Sequence, residues 1–187
     1  IKILASGSSG NAYRISDGKT TLLLDAGLPY LKIREGCNFR VAWMTGCLVT
    51  HAHNDHSKSA AKLARNGIDV YASRGTLDAI GLHGHRVHAV RAMGMVDIGS
   101  FRVIPFDVDH DAPEPLGYMC ESMHTQEKLL YFTDTPYIRY RFTGLTHIMA
   151  EANHDIERIL ENVRTGATVP SLASRIIRNH MSLDALL

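Results

Sequence analysis

The chain has 187 residues, 45% apolar, 21% charged and 7% aromatic, an ordinary globular composition with length for one filled core, so residues 1–187 read as a single domain. Twenty Lys plus Arg against nineteen Asp plus Glu leave a formal charge of +1, which excludes a polybasic wrapper of nucleic acid and an acidic disordered tail, though not a local basic face. No apolar run approaches the ~18 residues of a membrane span, and the start is a short apolar stretch running into Gly and Ser rather than a signal peptide, so cytoplasmic residence with no membrane partner is expected.

The first third alternates short β-type runs with Gly-rich breaks: residues 2–5, the Gly7-Ser8-Ser9-Gly10-Asn11 turn, 12–16, a hairpin signal at Asp17-Gly18, then 20–24 ending in Asp25-Ala26-Gly27. A short helix is predicted over 31–35, a strand over 47–50 and a helix over 57–65 closed by Asn66-Gly67. A βαβ-like passage follows, with strands at 69–72 and 86–90 around a helix through 76–80. Strands are then predicted at 101–106, 116–121, 128–132 and 146–150, a helix at 155–163, a linker at 165–171 and a helix-like end after His180.

Three cysteines, Cys37, Cys47 and Cys120, are odd in number and lack C-x-x-C spacing, so free thiols in a reducing compartment are expected. Histidine is the unusual residue, with eleven in the chain. His51-x-His53-x-Asp55-His56 puts three imidazoles and a carboxylate directly after a predicted strand, a concentration of N and O donors suited to Zn, Fe or Mn. Further candidates sit near strand ends, at His110 and Asp134, and His180 precedes the C-terminal helix. His83-x-His85-x-x-His88, without Cys or carboxylate company, reads as a solvated loop.

Thr50-His51-Ala52-His53-Asn54-Asp55-His56, with Asp25, His110, Asp134 and His180 in order, resembles the metallo-β-lactamase-fold superfamily. The Leu4-Ala5-Ser6-Gly7-Ser8-Ser9-Gly10-Asn11 start, His110-Asp111-Ala112 and Glu151-Ala152-Asn153-His154-Asp155 are similar to segments of its WalJ (YycJ)-like hydrolases and their phage-borne relatives. Such members are often longer at the carboxyl end, so the resemblance implies that a final strand or helix is missing here. The resemblance implies an α+β fold, an αββα sandwich of two mixed β-sheets flanked by helices. It also implies two divalent ions, zinc first and manganese or iron as alternatives. The first is held by His51, His53 and His110, and the second by Asp55, His56 and His180, with Asp134 between them. Asp25 would orient the metal loop from behind.

The implied activity is hydrolysis through a metal-bridging hydroxide, as a phosphodiesterase or exonuclease-like nuclease acting on DNA. The alternative within the same fold is a small-molecule ester, thioester or lactone hydrolase. A true β-lactamase is disfavoured by Asp134, and a non-catalytic protein by the full set of ligand types. Asp55 and His154 are the candidate catalytic residues, the latter as an acid or a phosphate contact. Ser8, Ser9 and Asn11 are candidate substrate contacts through a Gly-rich turn, and Arg139, Arg141, Arg175 and Arg178 are candidates for a basic track.

Overall fold

The structure, a computed structural model, describes residues 1–186. Strand β1 (Lys2–Ala5) pairs antiparallel with β2 (Ala12–Ser16), which turns at Asp17-Gly18 into β3 (Thr21–Leu24). Helix α1 (Tyr30–Gly36) and a 3-10 turn (Val41–Trp43) lead to β4 (Gly46–Leu48), which lies parallel to β3. After α2 (Asn54–Ser57) and α3 (Ala60–Arg65), β5 (Asp69–Ala72), α4 (Arg74–Ala79) and β6 (Val87–Ala89) complete a mixed six-stranded sheet in chain order. The second sheet, also mixed, is antiparallel through β7 (Val96–Ile98), β8 (Phe101–Asp107), β9 (Leu116–Ser122) and β10 (Lys128–Phe132), with β11 (His147–Ala150) parallel at its edge. Helices α5 (Ile156–Arg164), α6 (Pro170–Asn179) and α7 (Leu183–Leu186) follow.

Side-chain alternation explains why the sheets stack. Leu22 and Leu24 of β3 pack with Leu48, Phe101, Tyr118 and Tyr131 between the sheets, while Leu23 points the other way into a second core with Ile33 of α1, Leu63 of α3 and Leu77 of α4. On β10, Leu129 and Tyr131 face inward, and Leu130 and Phe132 face an outer cluster with Met181 and Phe142. Strands buried on both faces read as continuous apolar runs, as 22–24 and 129–132 do. The expected αββα sandwich is the architecture observed.

Three expectations change. The helix expected over 57–65 is two helices, because Ser59 leaves the helical ladder: its N–H donates to the Ala26 carbonyl and its hydroxyl to that of Leu28. Part of the expected linker is the first turn of α6, with Pro170 preset for an N-terminal position. His88 lies on β6 rather than in a loop, 3.1 Å from Asp69 and stacked on Tyr71. β7 had no sequence expectation.

Candidate metal centre

The centre is assembled at the carboxyl ends of strands from both sheets. Asp25 follows β3, the 50–56 loop follows β4, His110 follows β8, Asp134 follows β10 and Glu151 follows β11. Asp25, fully buried, accepts four hydrogen bonds. Thr50 N–H (2.8 Å) and Thr50 Oγ1 (3.0 Å) donate to Oδ1, while His56 Nδ1 (2.7 Å) and Tyr131 Oη (2.5 Å) bond Oδ2. Since the Thr50 hydroxyl gives its proton to Asp25, it accepts from His51 Nδ1 at 3.0 Å. This chain fixes both tautomers, leaving His51 Nε2 and His56 Nε2 to face the centre. Asp25 thus braces Thr50 and His56 of the loop from behind.

Gly27 brings the loop close. A Cβ there would sit 1.6 Å from the Asp55 carbonyl oxygen, so only glycine allows Asn11 N–H to reach that oxygen at 2.7 Å.

Three donor groups lie within 4.8 Å: His51 with His53 and His110, His51 with His56 and Asp134, and Asp134 with Glu151 and His180. His51 and Asp134 each belong to two, so the groups form one continuous cluster. Burial and the neighbouring His56 hold the His51 pKa down to about 2, so its ring is neutral. Its Nε2 is buried without a hydrogen-bond partner, 3.2 Å from Asp134 Oδ2. A lone pair facing a carboxylate oxygen is repulsive unless a cation sits with them, so the donor set fits a divalent ion. His53 Nδ1 and His110 Nε2, 3.1 Å apart, present a further pair of ring nitrogens.

Around Asp134 the field is anionic. Burial opposes charge on His56, but Asp25 and Asp134 raise its pKa to about 10. Hydrogen bonds to Asp134 and Glu151 do the same for His180. Burial disfavours the Asp134 carboxylate, yet His180 and His56 hold its pKa well below the usual range.

The structure divides the other expectations. Asp55 lines the cleft with Oδ2 3.5 Å from His56 Nε2, but it stands outside the three groups. Glu151, weighed for no role in the sequence, accepts from Asp134 N–H at 2.8 Å and contacts His180 Nδ1 at 3.0 Å. Its signal was its place beside Asn153 and His154 in a motif already singled out.

His154 stands beside cleft-lining Asn153, where segment 153–154 pairs with 181–183 and its carbonyl accepts from Leu183 N–H; its Nδ1 is buried without a hydrogen-bond partner. Ser8 lines the cleft, whereas Ser9, out on the turn, does not. Asn11 also lines it but is committed inward, accepting from Gly7 N–H and Tyr13 Oη and placing Nδ2 3.1 Å from His56 Nε2.

The cleft, about 910 Å³, is polar on one side and bounded by Ile3, Ile148 and Met149 on the other. Arg175 and Asn179 of α6 reach its wall, and Arg178 lines an adjoining depression of about 300 Å³. Arg139 is instead paired with Asp107 and Asp109.

Residues 20–164 match the Beta-lactamase superfamily domain, and the chain belongs to that family. Within it, the sequence is 33% identical over 202 residues to Exodeoxyribonuclease WalJ of Streptococcus pneumoniae, covering 96% of this chain and 71% of that protein. It is 34% identical over 189 residues to Exodeoxyribonuclease YycJ of Bacillus anthracis, covering 94% and 69%. Among solved structures, a Cronobacter sakazakii metallo-β-lactamase with a HARLDQ motif, in its S60 mutant form, superposes with a TM-score of 0.63 over 91% of this chain and 82% of its own, at 15% identity. That likeness bears on the fold alone. No helix among the described residues is long and apolar enough to cross a membrane.

Proposed function

We propose that this chain is a metal-dependent phosphodiesterase that hydrolyses DNA in an exonuclease-like manner. The observation that carries the reading is the cluster itself: imidazole and carboxylate donors from both sheets share His51 and Asp134, and His53, His110, Asp134, Glu151 and His180 among them line an open cleft. The names of the two bacterial relatives give the substrate class. Two divalent ions fit the donor set, zinc first and manganese or iron as alternatives. In this reading His51, His53 and His110 hold one and His56, His180 and Asp55 the other, with Asp134 between them and Glu151 bracing Asp134 and His180. Such ions, when bound, supply Lewis acidity at the phosphoryl group and make water acidic enough to attack near neutral pH.

The chain's own residues do the rest. Asp25 and Thr50 hold two imidazoles in the tautomer that presents Nε2, so no reorientation is needed during reaction. Arg175 and Asn179, both bonded to Asp111 Oδ2 (3.5 and 3.0 Å), stand on the wall where a phosphodiester backbone would run, and Ser8 lines the same cleft. The three cysteines are buried and free, which agrees with residence in the reducing cytoplasm.

Metal-loaded and chelated protein should be assayed side by side on bis-p-nitrophenyl phosphate, end-labelled DNA and nitrocefin. Metal-dependent cleavage of the two phosphodiesters without nitrocefin turnover is the expected result. Carbonyl hydrolysis alone would overturn the reading.

A further inference from the structure

Among the described residues the most exposed large apolar side chain by fraction is the sole tryptophan, Trp43, 70% accessible, ahead of cleft-wall Ile3 and of Met95. Trp43 is not isolated. Phe39, four residues earlier, is 61% accessible, and Tyr30 opens the helix beside it. Each ring carries a cation: the Arg40 guanidinium lies 4.6 Å from the Trp43 centroid, that of Arg34 is 5.4 Å from Phe39, and Lys62 Nζ of α3 is 5.3 Å from Tyr30. Among the described residues no carboxylate pairs with any of these three cations, since Glu35 takes Lys32. Residues 30–65 hold six Lys and Arg against two Asp and Glu, although the whole chain carries only +1.

Exposed aromatics that keep their cations unneutralised serve one kind of occupant well. A folded monomer gains nothing from leaving Trp and Phe in water. Flat apolar rings next to free guanidinium groups match a strand whose bases stack and whose phosphates need counter-charge. An apolar protein partner would leave the cations unmatched. The surface also continues toward the cleft. Lys2 Nζ donates to the Gly36 carbonyl at the end of α1, and Ile3, the next residue of β1, is part of the cleft wall.

We propose that Tyr30, Phe39 and Trp43, with Arg34, Arg40 and Lys62, form a secondary site for single-stranded nucleic acid, a holding surface for substrate beyond the nucleotides in the cleft. The proposal rests on the nuclease reading for its biological sense, but its binding test does not require catalysis.

Because Trp43 is the only tryptophan, intrinsic fluorescence reports this surface directly. Chelated protein titrated with oligo(dT) of about 30 nucleotides should be quenched, with affinity falling steeply as salt rises. Phe39→Asn removes a ring and keeps a residue tolerant of the left-handed backbone there (φ 58°). It should weaken binding about fivefold or more, as loss of one stacking platform does, and Arg40→Glu should weaken it further. Both variants should hydrolyse bis-p-nitrophenyl phosphate at the parental rate, which also shows that they fold. Absence of quenching while DNA is still cleaved overturns the secondary site and leaves the nuclease reading intact. Quenching without any DNA hydrolysis supports the site and counts against the nuclease reading. Quenching that follows protein concentration, with a dimer on sizing, assigns the surface to a second copy and overturns the proposal.

Discussion

Asp134 is held in left-handed backbone (φ 51°), a conformation that an Asp tolerates at a cost of about 1–3 kcal/mol. The Glu151 carboxylate secures it by taking its N–H, and the exchange places one carboxylate oxygen 2.9 Å from His56 Nε2 and the other 3.3 Å from His180 Nδ1. No other carboxylate belongs to both the His51–His56 and the Glu151–His180 groups. Asp134→Ala is therefore expected to bind one metal where the parent binds two, by elemental analysis, with most phosphodiesterase activity lost; unchanged stoichiometry would refute the bridging role. His154 is the contrasting case. Burial and the neighbouring His180 hold its pKa down, and its own carbonyl and the Asn153 N–H tie its segment to residues 181–183. His154→Ala should keep both metals and change DNA turnover less than about tenfold, short of the 10²- to 10⁴-fold loss of a positioned acid or base. The donors His51, His53 and His56 of the 51–56 loop were legible as candidates because their chemistry is contiguous in sequence. Glu151 was not, because its role depends on a contact to His180 across 29 residues that no local pattern encodes.

At the level of elements, the metal loop depends on a strand-end glycine. Gly27 sits against the Asp55 carbonyl and donates its N–H to the Asn11 carbonyl, while Asn11 N–H donates to Asp55. Gly27→Ala must push the loop outward, with an expected destabilisation of about 3 kcal/mol and a loss of metal content that a distant core substitution of equal cost would not cause. The other end of the sandwich is tied by Asp17, at the β2–β3 turn. Burial opposes its charge, but the Ser100 and Ser122 hydroxyls of the second sheet and the Thr20 and Lys19 amides outweigh that and hold its pKa well below the usual carboxylate range. With the folded pKa depressed, the unfolded chain binds the proton first. The stabilisation is present above about pH 4 and is lost as pH falls through the folded value. Asp17→Asn should cost about 2 kcal/mol at pH 7 by urea denaturation, and the gap from the parent should narrow steadily below pH 4. A gap independent of pH would show that the charge is not the source. Strands with both faces apolar were legible from composition, whereas three-residue β7 and the start of α6 at Pro170 are set by pairing and packing after the chain has folded.

Across the whole molecule the donors come from two sheets that also meet at this edge through Leu116 N–H to the Thr50 carbonyl, the Tyr118 hydroxyl to the Val49 carbonyl and the Tyr131 hydroxyl to Asp25. Asp25 and the His51–His56 loop leave the six-stranded sheet, and His110, Asp134 and Glu151 leave the five-stranded one. In the protein alone, this edge gathers His51 Nε2 and Asp134 Oδ2 as facing acceptors, a buried arrangement that disfavours closure of the sandwich. A divalent cation binds the folded chain at full strength and the unfolded chain weakly, because the latter does not bring these residues together, so its binding energy becomes folding energy. At free metal about 100 times Kd the gain is about 2.7 kcal/mol per site, and for a domain of this size each kcal/mol moves Tm by about 2–4 °C. Zinc should thus raise Tm by at least about 5 °C over chelated protein, and the increment should shrink in Asp134→Ala. Melting curves that coincide with and without chelator would mean that the cluster is not a metal centre and that some other interaction closes this edge.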